Sequence, residues 1–404
     1  MKRFFYFAAI ATVAMTASCS KSEPVSNIPA EVQFPEEEVT ELAPIAFGSN
    51  IKANTAATKS VGPVDEWNKN MELYVYGYTV NKDNGTINDI TAPYIDNVMA
   101  YAPDGSDKGA IEVYNTTEDG RQVPFYYQES TVYRFYGYYT DGAVTAEPAT
   151  ADGELTVPVT IDGGQDIMLA ATDAAAIDSD LAAAKEAAAG DADLTADLNN
   201  IETNYKSLIY SGYTARRGIA PTLNFKHQLV RFEFNVKAGS QEVIDKNVQV
   251  VAVNLIDVPN TGVLTIAPEQ KAVADNAATT NFLLQEKGED GALRTLTPKV
   301  PGLDFGTIGA SLMVFPAESY TLQFTLDQDN VEVQQPSTPY TLVPSMFQPA
   351  EGSELPSTDV FVAGYKYVVN IIVYGLEEIE ISAKLEEWKD AGSYELDPDK
   401  PENF

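Results

Sequence analysis

Residues 222–239 read TLNFKHQLVRFEFNVKAG, and their alternation decides the fold class. Phe225, His227, Leu229 and Arg231 share one face by parity, the period-two pattern of a half-buried strand. The same style recurs on both sides of this stretch. Upstream it appears in MELYVYGYTV (71–80), VPFYYQESTVYRFYGYYTD (123–141) and ELTVPVTI (154–161). Downstream it appears in NVQVVAVNLIDVPNTGVLTI (247–266), ASLMVFPAESYTLQFTLD (310–327) and YKYVVNIIVYGLEEIEISAKLEEW (365–388). Near the start, Ile45, Phe47, Ser49 and Ile51 fall on one face of a first short strand. Gly, Asp, Asn and Pro fill the gaps, as in DNGTIND and APDGSDKG, which are turn compositions. Strands of this length and spacing predict an all-β protein of antiparallel sandwiches.

One region breaks the pattern. Residues 174–217 begin with AAAIDSDLAAAKEAAAGDADLTADLNNIETNYKSLI, a run of strong helix formers. Leu194, Leu198, Ile201, Tyr205 and Leu208 recur at spacings of three and four and form one apolar stripe. We read a helical insertion of two helices broken near Gly190, set between two β domains or packed on one; a linker without fixed structure is the other reading. The expected division is then a β-sandwich at 45–173, the insertion at 174–217, a second sandwich at 218–392 and a mobile tail at 393–404.

The chain opens MKRFFYFAAIATVAMTASCS. Lys2 and Arg3 precede an apolar stretch, Phe4 to Ala14, too short to span a bilayer comfortably. Small residues then lead into Cys19, the only cysteine, in a pattern that resembles the lipobox of bacterial lipoproteins. Residues 1–18 are therefore expected to be a signal peptide, with lipid attached at Cys19. Residues 19–44, rich in Pro and Glu, are expected to form a flexible stalk.

A formal net charge of −33 repels phosphates and anionic head groups, so no nucleic-acid partner is expected. With Cys19 lipidated, no thiol remains for disulfides, zinc or nucleophilic catalysis. His227 is the only histidine, and neither G-x-S-x-G nor G-x-x-x-x-G-K-[ST] occurs. Carboxylate chemistry of the glycosidase type survives this subtraction, but 59 acidic residues give it no specificity. No enzyme activity, cofactor or metal is expected. His227 reads as a structural histidine, and Trp67 and Trp388 as core-edge packing. The Tyr126, Tyr127, Tyr133, Tyr136, Tyr138 and Tyr139 run reads as a packing face. Asp327, Asp329 and Asn330 lack the glycine and distal glutamate of a calcium loop and read as a turn.

Several short pieces occur in an order that resembles the fimbrillin family, the pilus subunits of Bacteroides-type bacteria. They are the IAF strand followed by Lys59, ELYVYGY, DIMLA (166–170), NFKHQLVRFEFNV (224–236), VPNTG (258–262), LMVFPAE (312–318) and AGYKYVVNIIVYGLEEIEISAKLEEW (363–388). The resemblance implies two transthyretin-like β-sandwich domains, and export as an outer-membrane lipoprotein held by its lipid. A surface protease then cuts after a basic residue, and a neighbouring pilin subunit supplies a strand to the groove left behind. Carried onto this chain, the displaced strand holds Ile45, Phe47 and Ile51, and the candidate cleavage site is Lys59, where the family commonly has arginine. The alternating Ile379, Ile381, Ala383 and Leu385 make residues 379–385 the candidate donor strand; an ordinary last strand fits them as well. The other function class in view is a lipid-anchored surface adhesin or glycan-binding protein at a pilus tip or anchor, with a host or bacterial target.

Overall fold

The computed structural model describes residues 32–37, 41–49, 71–101, 111, 113–116, 121–275, 278–289, 292–328, 335–336, 339–349, 356–375 and 379–387. Strands dominate, and the protein is all-β with a helical segment where the sequence predicts one. Among the described residues, no helix is long and apolar enough to cross a membrane.

The first half contributes β1 (Gly48–Ser49), β2 (Glu72–Val80), β3 (Ile95–Tyr101), β4 (Val132–Tyr139), β5 (Glu154–Thr160) and β6 (Met168–Ala171). β6, β4, β2 and β3 lie side by side in one antiparallel sheet. Both faces of this sheet are covered, which is why β4 is buried almost throughout. On one face Tyr76, Tyr78, Tyr136 and Tyr138 join a core with Leu155, Val157 and Val159 of β5. On the other, Leu73, Val75, Tyr133 and Phe135 join a core with the helical segment.

That segment is α1 (Ala174–Ala187), α2 (Ala192–Asn200) and α3 (Gly212–Ala215), with α2 running on through a π-helical stretch (Ile201–Tyr205) and a 3-10 turn (Lys206–Leu208). The Asp173 side chain accepts the Ala176 N–H at 2.9 Å, and Asp191 caps α2 the same way. Gly190, at φ +110°, breaks the first two helices at the expected place. Leu198, Ile201 and Leu208 of the predicted stripe are buried, with Leu194 and Tyr205 packed at its margin.

The second half contributes β7 (Thr222–Leu223), β8 (Lys226–His227), β9 (Val230–Ala238), β10 (Gln249–Pro259), β11 (Thr261–Ala267), β12 (Lys271–Ala274), β13 (Tyr320–Asp327), β14 (Tyr365–Val373) and β15 (Ile379–Glu387). β9 alternates strictly, burying Val230, Phe232, Phe234, Val236 and Ala238. It runs parallel to β14, while β15 pairs antiparallel on the far side of β14. β10 and β13 form the core of a second sheet, and their Val253, Leu255, Leu322 and Phe324 share one core with Phe232 and Phe234.

Among the described residues, three strand pairings cross the expected division at residue 218. β7 runs parallel to β1, β8 extends the first sheet by pairing with β6, and β11 pairs with β5 over Thr261↔Thr160 to Ala267↔Leu155. The VPNTG turn is the crossing point: Pro259 ends β10, and Thr261 opens β11 in another sheet. The stretch that decides the fold class is itself divided. Phe225 packs in the core that holds the helical segment, and Phe232 in the core shared by β5, the β2 and β4 tyrosines and the second half.

Candidate functional site

The N-terminal segment 43–49 lies in a groove of the first half, held by backbone and by two side chains. Ile45 N–H donates to Phe125 O at 2.7 Å, and Tyr127 N–H donates to Ala43 O at 2.9 Å. Further along, Ile111 N–H donates to Phe47 O at 2.9 Å and Gly48 N–H to Pro221 O at 3.0 Å. The segment thus runs antiparallel to residues 111 and 126, and its end, β1, runs parallel to β7. Ile45 and Phe47, two residues apart, enter the same core as α1, and Phe47 is fully buried. The intervening Ala46 is exposed. Both inward positions are buried.

The far wall of the groove depends on a buried carboxylate. Asp180 Oδ2 on α1 accepts the Tyr210 hydroxyl at 2.6 Å and the Thr222 N–H at 2.9 Å. Thr222 is the β7 residue paired with Gly48, so α1 fixes the strand against which β1 lies. Burial raises the Asp180 pKa, and the hydrogen bonds from Thr222 and Tyr210 oppose that rise. On the near wall, burial and the Asp180 charge push the fully buried Tyr127 phenol well up. Tyr133 beside it is pushed up to about 12, mainly by burial.

A second contact lies upstream, where the sequence predicts a flexible stalk. Phe34 packs against the core, and Val32 against the small cluster of Val80, Val132 and Leu208. The Glu37 carboxylate takes both arginines at the end of α3: one oxygen pairs with Arg216, and the other lies 3.2 Å from Arg217 Nη1. Residues 32–37 and 41–44 are therefore placed against the body. Sequence reasoning missed this contact, although the Arg216–Arg217 pair is conspicuous in a chain with 26 basic and 59 acidic residues.

The other candidate residues divide plainly. Cys19, Ile51, Lys59, Trp67, Trp388, Asp329 and Asn330 lie outside the described residues. Ile379, Ile381, Ala383 and Leu385 occupy β15, opposite Val373, Ile371, Val369 and Tyr367 of β14. They stand in a different sheet from the N-terminal segment. His227 is buried with its Nδ1 3.1 Å from Asp166, which is also buried, so the pair fastens β8 to the loop before β6. Tyr127, Tyr133, Tyr136, Tyr138 and Tyr139 are buried and Tyr126 is exposed, which makes the tyrosine run a packing device. Among the described residues, no group of three or more His, Cys, Asp or Glu side chains is placed to hold a metal ion.

The family model described as fimbrillin-like matches residues 55–388. Comparison with curated proteins gives no match. Among solved structures, the chain is similar to a putative cell adhesion protein from Bacteroides uniformis, with 16% identity, 86% of this chain and 99% of that one covered, and a TM-score of 0.47. It is similar to a putative cell adhesion protein from Bacteroides ovatus, with 15% identity, 86% and 99% covered, and a TM-score of 0.43. A fimbrilin from Porphyromonas gingivalis is similar at 9% identity, with 87% and 99% covered and a TM-score of 0.37.

Proposed function

The chain belongs to the fimbrillin-like family, and from that premise we propose that it is a structural subunit of a bacterial surface pilus, assembled by strand exchange and without catalysis. It is exported as an outer-membrane lipoprotein tethered through Cys19. A surface protease cuts after Lys59, and residues 43–49 then leave their groove to a strand from a neighbouring subunit. The donor is the C-terminal strand that carries Ile379, Ile381, Ala383 and Leu385.

The observation that carries this reading is the seat of residues 43–49. It is already a strand-binding groove, with bonds to Phe125, Ile111, Tyr127 and Pro221 and sockets for Ile45 and Phe47. Emptying it leaves those four backbone groups without their partners, at about 1–3 kcal/mol for each buried one. It also uncovers two apolar sockets worth about 1.5–3 kcal/mol each. A replacement strand recovers both, through ladder bonds and through side chains at every second position.

The test is to cut the chain after Lys59 and follow its size. Polymers that fail to form when residues 379–404 are deleted support the reading. A protein that stays monomeric after complete removal of residues 1–59 overturns it.

A further inference from the structure

Two arginines meeting one glutamate about 180 residues away is more than a stalk requires. A tether needs length, and packing against the body shortens its reach. Arg217 is held in place independently of Glu37: its guanidinium lies 3.9 Å from the centre of the Tyr213 ring. Its Nη1 donates to Tyr213 O at 2.8 Å and its Nε to Asp197 at 3.1 Å. An arginine fixed by Tyr213 of α3 and Asp197 of α2 is a preorganised carboxylate receptor. Side-chain exposures are 18% for Arg217, 24% for Glu37 and 30% for Arg216, so Arg217 is the most enclosed of the three. Three residues before Glu37, Phe34 provides a half-buried apolar anchor against the core, and Val32 provides another.

We infer that the Arg216–Arg217 end of α3, with Tyr213 and the cluster of Val80, Val132 and Leu208, is a binding surface for an extended acidic peptide. Its resident occupant is residues 32–37, and it keeps the N-terminal piece on the body after the chain is cut. The inference rests on the reading that a cut follows Lys59. It adds a stage to that reading, because the groove does not stand empty after cleavage. An incoming strand has to displace a peptide held at two places, by Ile45 and Phe47 in the groove and by Phe34 and Glu37 on the helical segment. The surface therefore sets when exchange begins.

The test uses the chain from Ser20 onward, which keeps every described residue. A recognition site for a sequence-specific protease is inserted after Lys59, and a fluorophore is attached at the exposed position 33 through Gln33→Cys. After complete cutting, the labelled piece is expected to co-elute with the body on gel filtration. Its dissociation on dilution is expected to be at least tenfold faster in Arg216→Gln/Arg217→Gln, and faster for the parent at higher salt. Glu37→Gln, which leaves the body unaltered, is expected to reproduce the loss. Dissociation rates within twofold of the parent in both variants, or immediate loss of the piece from the parent, overturn the inference. Polymer formation is read in the same samples. A body that has lost the piece on dilution and still forms no polymers overturns strand exchange and leaves this surface standing, whereas polymers from a parent that never retained the piece overturn this surface alone.

Discussion

Phe47 meets Phe135 edge-on, with ring centroids 4.9 Å apart and planes at 84°. The first ring belongs to the N-terminal segment and the second to the middle of β4, so this contact joins residues 43–49 to the core beneath them. Such a pair adds about 0.5–1.5 kcal/mol to what burial alone provides.

Phe47→Ala is expected to destabilise the protein by about 3–5 kcal/mol, and Ile45→Ala by about 2–5 kcal/mol, in equilibrium denaturation. Ala46→Ser, on the exposed side of the same segment, is expected to stay within about 0.5 kcal/mol of the parent. Near-silent changes at 45 and 47 would mean that the segment leaves its groove before the body unfolds. Hydrogen exchange of the Tyr127 and Ile111 amides, which bond to the segment, separates the two cases.

Gly137 makes room for the residue that ties the two halves together. A Cβ there would stand 2.9 Å from Phe225 Cζ, closer than atoms of two packed side chains come. Gly137→Ala is expected to cost about 1–3 kcal/mol through overpacking. Phe225→Leu costs stability alone but relieves the clash, so the double variant is expected to be more stable than the sum of the two changes implies. A double-mutant cycle with a coupling below about 0.5 kcal/mol would place the ring elsewhere.

His227 is the only histidine and faces the buried carboxylate of Asp166. Its removal takes a hydrogen-bond partner from a buried carboxylate, so His227→Ala is expected to cost at least about 1–3 kcal/mol. Polymer assembly by the cut chain, measured well below the variant's melting temperature, is expected to persist. Abolished assembly in a variant that is still folded would give this histidine a role beyond fastening β8.

The strands and helices were legible because their signals are local. Period two in FEFNV and VYRFYGYY marks strands, and a run of strong helix formers with one apolar stripe marks the helical segment. Ile45 and Phe47 were legible as one buried face because they alternate with Ala46, which is exposed. Partner choice was not legible. Nothing in VLTI shows that β11 bonds β5, more than a hundred residues earlier, rather than a strand of its own half. The contact of Glu37 with Arg216 and Arg217 was hidden for the same reason. A Pro- and Glu-rich run has the composition of a solvated linker, and only the arginines brought to it by α3 make it a bound peptide. Burial of the Asp180 carboxylate was equally invisible, because an acidic residue among alanines reads as the wet face of a helix.

Asp180 gives the groove a pH dependence whose sign follows from burial. Desolvation raises its pKa from the ordinary 3.8, despite hydrogen bonds from Thr222 and Tyr210 that favour the charged form. The folded state therefore holds this proton more tightly than the unfolded chain does. The resulting stabilisation is fully present below about pH 3.8 and is lost as pH rises through the folded-state pKa. Asp180→Asn keeps an oxygen to accept from Tyr210 and Thr222 but cannot ionise. Its stability relative to the parent is expected to rise between pH 4 and pH 7, as measured by denaturant midpoints at the two values. Asp180→Ala leaves both donors without this acceptor, and is expected to cost about 1–3 kcal/mol and to loosen β7 against β1. If Asp180→Asn tracks the parent at both pH values, the carboxylate does not titrate differently on folding, and the groove wall carries no pH dependence from this residue.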